Sequence, residues 1–419
     1  MRTVSVIGGG LAGVSVCYEL VSRGYQTVLY ESRDGIALET SYANGAMLTP
    51  SMADPWNAPG VHRHLAASLF DPRSAMKLRL KAVPSLIGWG RQFLRHSTRD
   101  RHEAATRACF LLGQHSMRRT RELRRSLSLE YDAATAGTLK VFTSPAAMEG
   151  PLALAGRLAT LGLVFEALDA AKTVATEPAL AGIRDNIAGS IRFPDDETGD
   201  ARQFCERLVA TFVEAGGISR TKTRVDGIAT EKGRAVGVYV GGRLEPADEV
   251  VIAAGNASVT LARKLGIALP IRPAKGYTVT FDASQLEGAP AIPIVDDARH
   301  TAIVPIGRRL RIVGTAEFAG NDLTIRPERI ENLFSVLSEL MPGVARQLPR
   351  SSALPWAGLR PMSADGLPFI GPSAIPGLYI NAGHGHLGWT LASGSAHLLA
   401  DLLEGRPPAI DPAPYRATR

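Results

Sequence analysis

The sequence of 419 residues is poor in cysteine and has no long apolar run. Its three cysteines, Cys17, Cys109 and Cys205, form no CxxC or Cys/His cluster, which argues against a structural metal and for a reducing compartment. No stretch of roughly 18 apolar residues is free of charge, which excludes a transmembrane helix. The three glycines from Gly8 onwards interrupt any signal-peptide pattern. We therefore expect a cytoplasmic protein without a bound metal.

The rest of the composition is that of a soluble globular protein. Hydrophobic residues make up 45% of the chain and charged residues 21%. The length exceeds that of one small core, so two packed regions are expected. We find no internal repeat.

Positive charge is concentrated in one segment, residues 63–125, which we call the basic block. It holds fifteen Lys/Arg against four Asp/Glu, in a chain of formal net charge +7. Apolar residues such as Leu65, Leu69, Ile87 and Leu94 alternate with these cations, as in an amphipathic surface helix. The block is either a solvated helical face or a peripheral contact with anionic lipids on the inner face of a membrane. Nucleic-acid binding is disfavoured because no aromatic stacking motif accompanies the charge.

The N-terminal residues predict a β-α-β unit with a nucleotide-binding fingerprint. The strand "RTVSVIG" is followed by a helical pattern to Gly24 and by the strand "YQTVLYE". The glycines of GxGxxG permit a tight turn, close approach of a pyrophosphate, and packing of the helix on the strand. The helix N-terminus favours the anion, and the acid that ends the second strand bonds a ribose hydroxyl. The predicted contacts here are Gly8, Gly10, Leu11, Ala12, Gly13 and Glu31.

NAD and FAD share this fingerprint, and the remainder of the chain favours FAD. An NAD domain would need a second contiguous βαβαβ half, whereas residues 35–60 have the composition of a loop and 61–125 a helical pattern. The later strand "EVVIAAG" returns the chain to the nucleotide, with Ala254 and Gly255 close to the cofactor. We predict an α/β fold with a Rossmann-like FAD-binding domain (1–60, 190–268 and 355–419). A second, α+β substrate-binding domain with a mixed or antiparallel sheet would comprise 61–189 and 269–354.

The stretch "GHGHLGW" (383–389) has properties that suit a flat cofactor ring. Its glycines let the backbone approach a ring, and the following helix directs its positive N-terminal end at it. That placement would stabilise a reduced flavin, which carries negative charge near N1. His384 and His386 are either loop histidines satisfied by backbone or, for His386, a contact to substrate or to a flavin carbonyl.

Five blocks of this sequence together resemble the D-amino acid oxidase superfamily, and most of all its bacterial D-amino acid dehydrogenases. They are "VIGGGLAGVSVCYEL", "ETSYANGAMLTP", "VVIAAGNAS", "GLRPMSADGLPFIG" and "NAGHGHLGWTLASGSAHLLADLL". The resemblance implies noncovalent FAD, an antiparallel sheet over the flavin, and oxidation of an amine next to a carboxylate. By matching position it implies further cofactor contacts at Ser41, Asn44, Ala46, Met47, Val225, Ala254, Gly255, Gly383, His384, Gly385, His386, Leu387, Gly388, Trp389 and Thr390.

Three residues are candidate catalytic groups: Arg360, His386 and Tyr277. Arg360 matches the family arginine that binds the substrate carboxylate, and a planar guanidinium suits a carboxylate because it donates two parallel hydrogen bonds. The alternative is a surface arginine held by Pro361. Tyr277 could face either the core or the substrate.

The expected reaction is hydride transfer from the substrate Cα to flavin N5, giving an imine and then a 2-oxo acid. The substrate would be a D-amino acid or a cyclic imino acid of the D-proline or hydroxy-D-proline type, and the electrons would pass to a quinone or another acceptor. A glycine- or sarcosine-type oxidase that uses O2 is the alternative within the fold. A flavin-bearing module that binds RNA or lipid without amine chemistry is the alternative from another class.

Overall fold

The computed structural model describes residues 2–63 and 74–419. The helices in this part of the chain are α1 (Leu11–Ser22), α2 (Val83–Arg95), α3 (Arg99–Ser126), α4 (Pro145–Ala159), α5 (Ala170–Thr176), α6 (Ala201–Glu214), α7 (Ser258–Arg263), α8 (Pro327–Leu340), α9 (Pro342–Ala345) and α10 (Gly388–Glu404).

The strands follow in the same chain order. They are β1 (Thr3–Ile7), β2 (Gln26–Tyr30), β3 (Met47–Leu48), β4 (Met76–Leu78), β5 (Thr138–Phe142), β6 (Glu166–Leu168), β7 (Gly189–Phe193), β8 (Glu197–Thr198), β9 (Ile218–Arg220), β10 (Val225–Glu231), β11 (Arg234–Val240), β12 (Arg243–Pro246), β13 (Glu249–Ile252), β14 (Ile271–Asp282), β15 (Ile294–Asp296), β16 (Thr301–Ile306), β17 (Arg309–Phe318), β18 (Leu354–Ser363), β19 (Phe369–Pro372) and β20 (Leu378–Ala382).

The first sheet contains the predicted β-α-β unit at its centre. Its strand order is β19-β20-β13-β1-β2-β9, parallel except for β19. Val4 and Val6 on β1 are fully buried, as expected for a parallel strand covered on both faces. Helices α1, α6 and α10 pack together beside this sheet, and the small sheet β10-β11-β12 contacts β13. The Rossmann-like fold is therefore confirmed.

The second sheet is larger and mixed. Its order is β18-β14-β17-β16-β15-β5-β7-β6, with β4 added in parallel to β17. One face packs against α8 through Val279, Ile303 and Ile312. The opposite face, with Val304 and Val313, joins the core of the first region. The prediction of a second α+β domain with a mixed or antiparallel sheet is therefore confirmed.

Two of the predicted domain boundaries fall inside strands of the second sheet. Gly189–Phe193 (β7) and Leu354–Ser363 (β18) both pair within that sheet, although residues from 190 and from 355 were assigned to the cofactor domain. We therefore propose boundaries near 194 and 364. Sequence periodicity could not show this, because which sheet a strand joins depends on pairing with distant residues.

The basic block is less uniformly helical than predicted, since β4 precedes α2 and α3. Leu65 and Leu69 lie outside the described residues. Several arginines of α3 are neutralised internally: Arg119 pairs with Glu19 at 2.9 Å, and Arg124 pairs with the buried Glu197 at 2.5 Å. Among the described residues, no helix is long and apolar enough to cross a membrane.

Candidate cofactor and substrate site

The turn between β1 and α1 accepts only glycine at two positions. Gly8 has φ of +115°, and a Cβ there would lie 2.6 Å from the carbonyl oxygen of Ala253. A Cβ at Gly13 would lie 1.8 Å from the carbonyl oxygen of Gly8. Glycine at both positions therefore lets β1, α1 and the segment after β13 pack closely. Neither residue has a side chain that could cover the start of α1 and exclude a ligand.

The first turn of α1 has free capacity for an anion. Gly10 is its N-cap and brings no side-chain cap, while the Leu11 N–H donates to Oγ of Ser41 at 3.3 Å. Glu31 accepts hydrogen bonds from the Gly9 N–H and the Arg33 N–H, both at 2.7 Å. Oε1 also accepts from Oγ of Ser32 at 3.1 Å, whereas Oε2 has the Gly9 N–H as its one donor among the described residues and can accept a further bond, so Glu31 remains suited to a ribose hydroxyl.

The residues predicted beside the adenine half lie at the same edge of the first sheet. Ala254 and Gly255 directly follow β13, and a Cβ at Gly8 would be 2.9 Å from Cα of Ala254. Val225 is buried at the start of β10 in one apolar cluster with Ile7 and Tyr30. The structure thus brings these parts of the fingerprint together at the carboxyl ends of β1 and β13.

The segment before β3 is held in a strained conformation. Ala46 has φ of +56°, and its N–H donates to Oδ1 of Asn44 at 3.0 Å. The Asn44 carbonyl accepts from Nη1 of Arg311 at 2.9 Å. Burial lowers the pKa of Arg311 to about 10, so the guanidinium remains charged at neutral pH. Met47 follows in β3, paired with Thr198.

Residues 383–390 place a glycine-rich turn beside the end of β18. Gly383 and Gly385 have φ of +83° and +60°, and His384 forms a backbone bridge with Met362. His384 Nε2 lies 3.0 Å from Oγ of Ser395, and desolvation lowers the pKa of this imidazole to about 4. His384 is therefore neutral and held by a side chain rather than by the backbone.

The side chains of residues 387–390 pack against different parts of the protein. Leu387 is buried and Gly388 begins α10. The Trp389 ring packs in the core near Tyr131 and Phe204. Thr390 Oγ1 accepts the N–H of Thr49 at 2.9 Å. Trp389 and Thr390 thus use their side chains to fix α10 against the segments around it.

Arg360 lies on β18, and its side chain crosses the neighbouring strand at Gly276. A Cβ at Gly276 would be 2.3 Å from Nη1 of Arg360, and that nitrogen donates to the Thr315 carbonyl at 3.2 Å. No carboxylate of the described residues lies within ion-pair distance. Desolvation lowers the pKa of Arg360 to about 10, which leaves it charged at neutral pH. A desolvated cation without a counter-ion is costly, so the site favours an anionic ligand.

Trp56 is the centre of an aromatic and cationic cluster that the sequence did not indicate. Its ring lies 5.4 Å from Cζ of Arg360, stacks on His386 with centroids 5.3 Å apart, and is 6.5 Å from the His300 ring. His386 Nε2 is 3.4 Å from the Met52 carbonyl oxygen, and desolvation lowers its pKa to about 4. The structure therefore brings Arg360 and His386 together on the Trp56 ring.

Tyr277 is not brought to Arg360. It is fully buried among residues that face α8, on the side of the second sheet opposite Gly276. Its hydroxyl donates to Glu317, which also pairs with Lys275 at 3.2 Å and with Arg79. Of the two interpretations of Tyr277, the structure favours the core one, because successive side chains of a strand point to opposite faces.

These residues fit FAD in two respects. The glycine turn and uncapped helix suit a pyrophosphate, and Arg360, without a carboxylate partner in the described part of the chain, lies near the predicted flavin turn. Cys17, Cys109 and Cys205 are all buried and free, so noncovalent attachment stays the prediction. Among the described residues there is no group of three side chains that could hold a metal ion.

Residues 3–402 match the family model described as "DAO: FAD dependent oxidoreductase". The chain belongs to this family of FAD-dependent oxidoreductases. The enzyme is 38% identical to a D-amino acid dehydrogenase of Methylobacterium nodulans over 97% of this chain and 96% of that protein. It is 35% identical to a D-amino acid dehydrogenase of Bradyrhizobium diazoefficiens, with the same two coverages. Its cofactor is FAD.

Solved structures share the fold of the enzyme over nearly its whole length. A glycine oxidase from Geobacillus kaustophilus superposes with a TM-score of 0.76 at 23% identity, covering 100% of this chain and 99% of the other. An L-proline dehydrogenase from P. horikoshii gives 0.79 at 17% identity, covering 100% and 97%. At such identities these likenesses show the fold alone.

The residues that sequence reasoning missed lie in stretches without a motif. Trp56 is in a segment interpreted only as a loop, although a single tryptophan in "DPWNAPG" was a signal that could have singled it out. His300 and Thr315 follow no recognisable pattern. Only the three-dimensional arrangement gives them a place beside Arg360.

Proposed function

We propose that the enzyme dehydrogenates D-amino acids or cyclic imino acids and passes the electrons to a quinone or another carrier. The observation that carries this proposal is the Arg360 guanidinium beside the predicted flavin turn, which forms no ion pair with any described residue. The D-amino acid dehydrogenases at 35–38% identity support the same substrate class.

In this proposal the chain's own residues bind and orient the substrate. Arg360 takes the carboxylate in two parallel hydrogen bonds, and the Thr315 carbonyl holds the guanidinium in position. Trp56 and His386 cover the same space and exclude water. Bound FAD supplies the two-electron acceptor. We assign most of the protein's contribution to the rate enhancement to this positioning of the substrate.

The strand that carries Arg360 is fixed to the cofactor domain at the adjacent residue. The Leu359 carbonyl accepts from Oγ1 of Thr40 and from Nδ2 of Asn256, both at 2.8 Å. These two donors come from the segments that precede β3 and follow β13. Two side-chain donors thus fix the strand that carries Arg360 to the segments expected to hold the cofactor, which suits a reaction that depends on alignment.

Anaerobic bleaching of the bound yellow flavin tests the proposal directly. We expect bleaching by at least one compound in a panel of D-amino acids, glycine, sarcosine and the isomers of proline. Arg360→Leu should retain flavin but lower kcat/KM by about 100- to 1000-fold, because the substrate carboxylate loses its buried partner. Arg360→Lys keeps the charge and should recover part of the loss. Unchanged turnover in Arg360→Leu would reject the assigned role.

A glycine- or sarcosine-type oxidase is the second candidate, favoured by the structural likeness to a glycine oxidase. The two candidates differ in the electron acceptor. Mixing the substrate-reduced enzyme with oxygen or with a soluble quinone analogue separates them. Reoxidation by oxygen as fast as by the quinone would support the oxidase.

We also propose that α2 rests on the anionic inner face of a membrane. Ile87 and Leu94 are 67% and 45% exposed, and their seven-residue spacing places them on one side of the helix. Leu80, in the short 3-10 turn that precedes α2, is 75% exposed. Arg91 and Arg95 are exposed in the same helix. On its buried side, Trp89 Nε1 donates to the Met362 carbonyl at 3.1 Å, so this surface lies close to the substrate site.

Vesicle binding tests this surface. We expect the enzyme to sediment with vesicles that contain phosphatidylglycerol and less with neutral phosphatidylcholine vesicles. Ile87→Glu should weaken sedimentation about tenfold, because it places a carboxylate in the apolar face. Val213→Glu, at an exposed aliphatic residue of α6, is the matched control and should bind as the wild type does. If Ile87→Glu sedimented with anionic vesicles as strongly as the wild type does, the proposal would be contradicted.

A further inference from the structure

His300 occupies a strained position at the tip of the hairpin between β15 and β16. It has φ of +46°, and its N–H donates to the Asp297 carbonyl at 3.2 Å. Thr315, on the neighbouring strand β17, has φ of +59°. A β-branched residue in the left-handed region is an outlier, and such strain is concentrated at functional sites.

These two strained residues are joined to each other and to Arg360. The Thr315 N–H donates to the His300 carbonyl at 3.3 Å, and the Thr315 carbonyl accepts from Nη1 of Arg360 at 3.2 Å. The pairing of β14 with β17 shifts register beside Gly276, so β17 bulges at this point. The bulge therefore fixes the backbone of His300 relative to the carboxylate-binding group.

The His300 ring neighbours the aromatic and cationic cluster around Trp56. It is exposed to solvent, yet the protein around it desolvates the imidazole and lowers its pKa. The Trp56 ring is near both groups, at 6.5 Å from the His300 ring and 5.4 Å from Cζ of Arg360. The His300 side chain is therefore reachable from solvent and lies near the aromatic and cationic cluster that contains Arg360.

We propose that His300 is a specificity-determining residue that hydrogen-bonds an uncharged hydroxyl group on the substrate while Arg360 holds the carboxylate. This inference rests on the proposed oxidation of an amino or imino acid. In this proposal His300 lines the side of the site that faces the substrate atoms beyond the carboxylate. The preferred substrate is therefore a hydroxylated amino or imino acid.

The charges around His300 select a neutral partner. Asp297 lies in the same turn and pairs with Lys140 at 2.8 Å. With Asp54 and Arg360 also facing His300, the two carboxylates and two cations balance, which leaves no net charge to bind a second charged group of the substrate. A neutral imidazole offers one donor and one acceptor, which a hydroxyl matches. An aliphatic substituent would leave the imidazole without a partner, and a site built for a hydroxyl disfavours such a substrate.

The experiment compares matched substrate pairs on the FAD-loaded enzyme. We measure the rate of anaerobic flavin bleaching with cis-4-hydroxy-D-proline against D-proline, and with D-serine against D-alanine. The wild type should prefer the hydroxylated member of at least one pair. His300→Leu should reduce that preference about tenfold, and His300→Gln, which keeps a hydrogen-bonding group, should recover part of it.

Control measurements separate the possible outcomes. Arg308→Leu, at the exposed tip of the next hairpin, should leave the preference unchanged. No hydroxyl preference, an unchanged preference in His300→Leu, or a preference for D-lysine or D-glutamate would overturn the assignment of His300 alone. Absence of bleaching by every compound would overturn the proposed function and this inference with it.

Discussion

At the scale of single residues, the proposed binding of the substrate carboxylate depends on a glycine that lies against a large side chain. Gly276 is the example: the Arg360 guanidinium lies where a side chain at residue 276 would be. Arg360 thereby lies flat against β14 and reaches the Thr315 carbonyl. A glycine that makes room for an arginine is as important to carboxylate binding as the arginine itself.

Gly276→Ala tests this dependence. The added methyl group would lie 2.3 Å from Nη1 of Arg360 and must displace it. We expect kcat/KM to fall about 100-fold, since an error of about 1 Å in positioning costs that much. Bound flavin should be retained. Gly343→Ala, which meets no atom within 4 Å, is the matched control. Steady-state kinetics of both variants is the measurement, and wild-type kinetics in Gly276→Ala would disprove the packing argument.

The elements around the fingerprint were largely readable from the sequence. The predicted strand, helix and strand correspond to Thr3–Ile7, Leu11–Ser22 and Gln26–Tyr30. Their boundaries depend on glycine turns and apolar periodicity, which are local properties. The small strands β4, β6 and β8 were not predicted, because two or three residues carry no periodicity and form strands only through their partners.

Gly13→Ala tests the junction of β1 and α1. A Cβ 1.8 Å from the Gly8 carbonyl oxygen forces the helix away from the strand. FAD affinity should fall at least about tenfold, because the pyrophosphate-binding amides move with the helix. Flavin absorbance after gel filtration is the measurement. Gly156→Ala, in open space on α4, should keep its flavin. Full flavin content in Gly13→Ala would contradict the expected role of this junction.

In the whole molecule, a buried carboxyl group connects the second sheet to the segment that follows β3. Oδ2 of Asp196, just after β7, accepts hydrogen bonds from Oγ of Ser51 at 2.5 Å and from Oγ1 of Thr138 at 2.6 Å. Ser51 follows β3, and Thr138 begins β5 in the second sheet. Desolvation raises the pKa of Asp196 to about 7, so the folded protein keeps a proton that the unfolded chain loses.

This shift predicts a pH dependence of stability. Between pH about 4 and about 7 the unfolded state binds fewer protons than the folded state, so this group's contribution declines as pH rises. Asp196→Asn removes that decline. The free energy of unfolding of the variant minus that of the wild type should increase by about 2–4 kcal/mol from pH 5 to pH 8. Urea unfolding of both proteins measures it, and a difference independent of pH would contradict the shift.

The sequence by itself determined the cofactor-binding turn, the fold class and the identity of Arg360 as a candidate. These follow from residues that are close together in the chain, or from blocks whose order it preserves. Tertiary structure alone decided that Trp56, His300 and Thr315 surround Arg360, and that Tyr277 faces α8 instead. The physical reason is that strand pairing and the bulge opposite Gly276 determine which face each side chain occupies, and both depend on residues far apart in sequence.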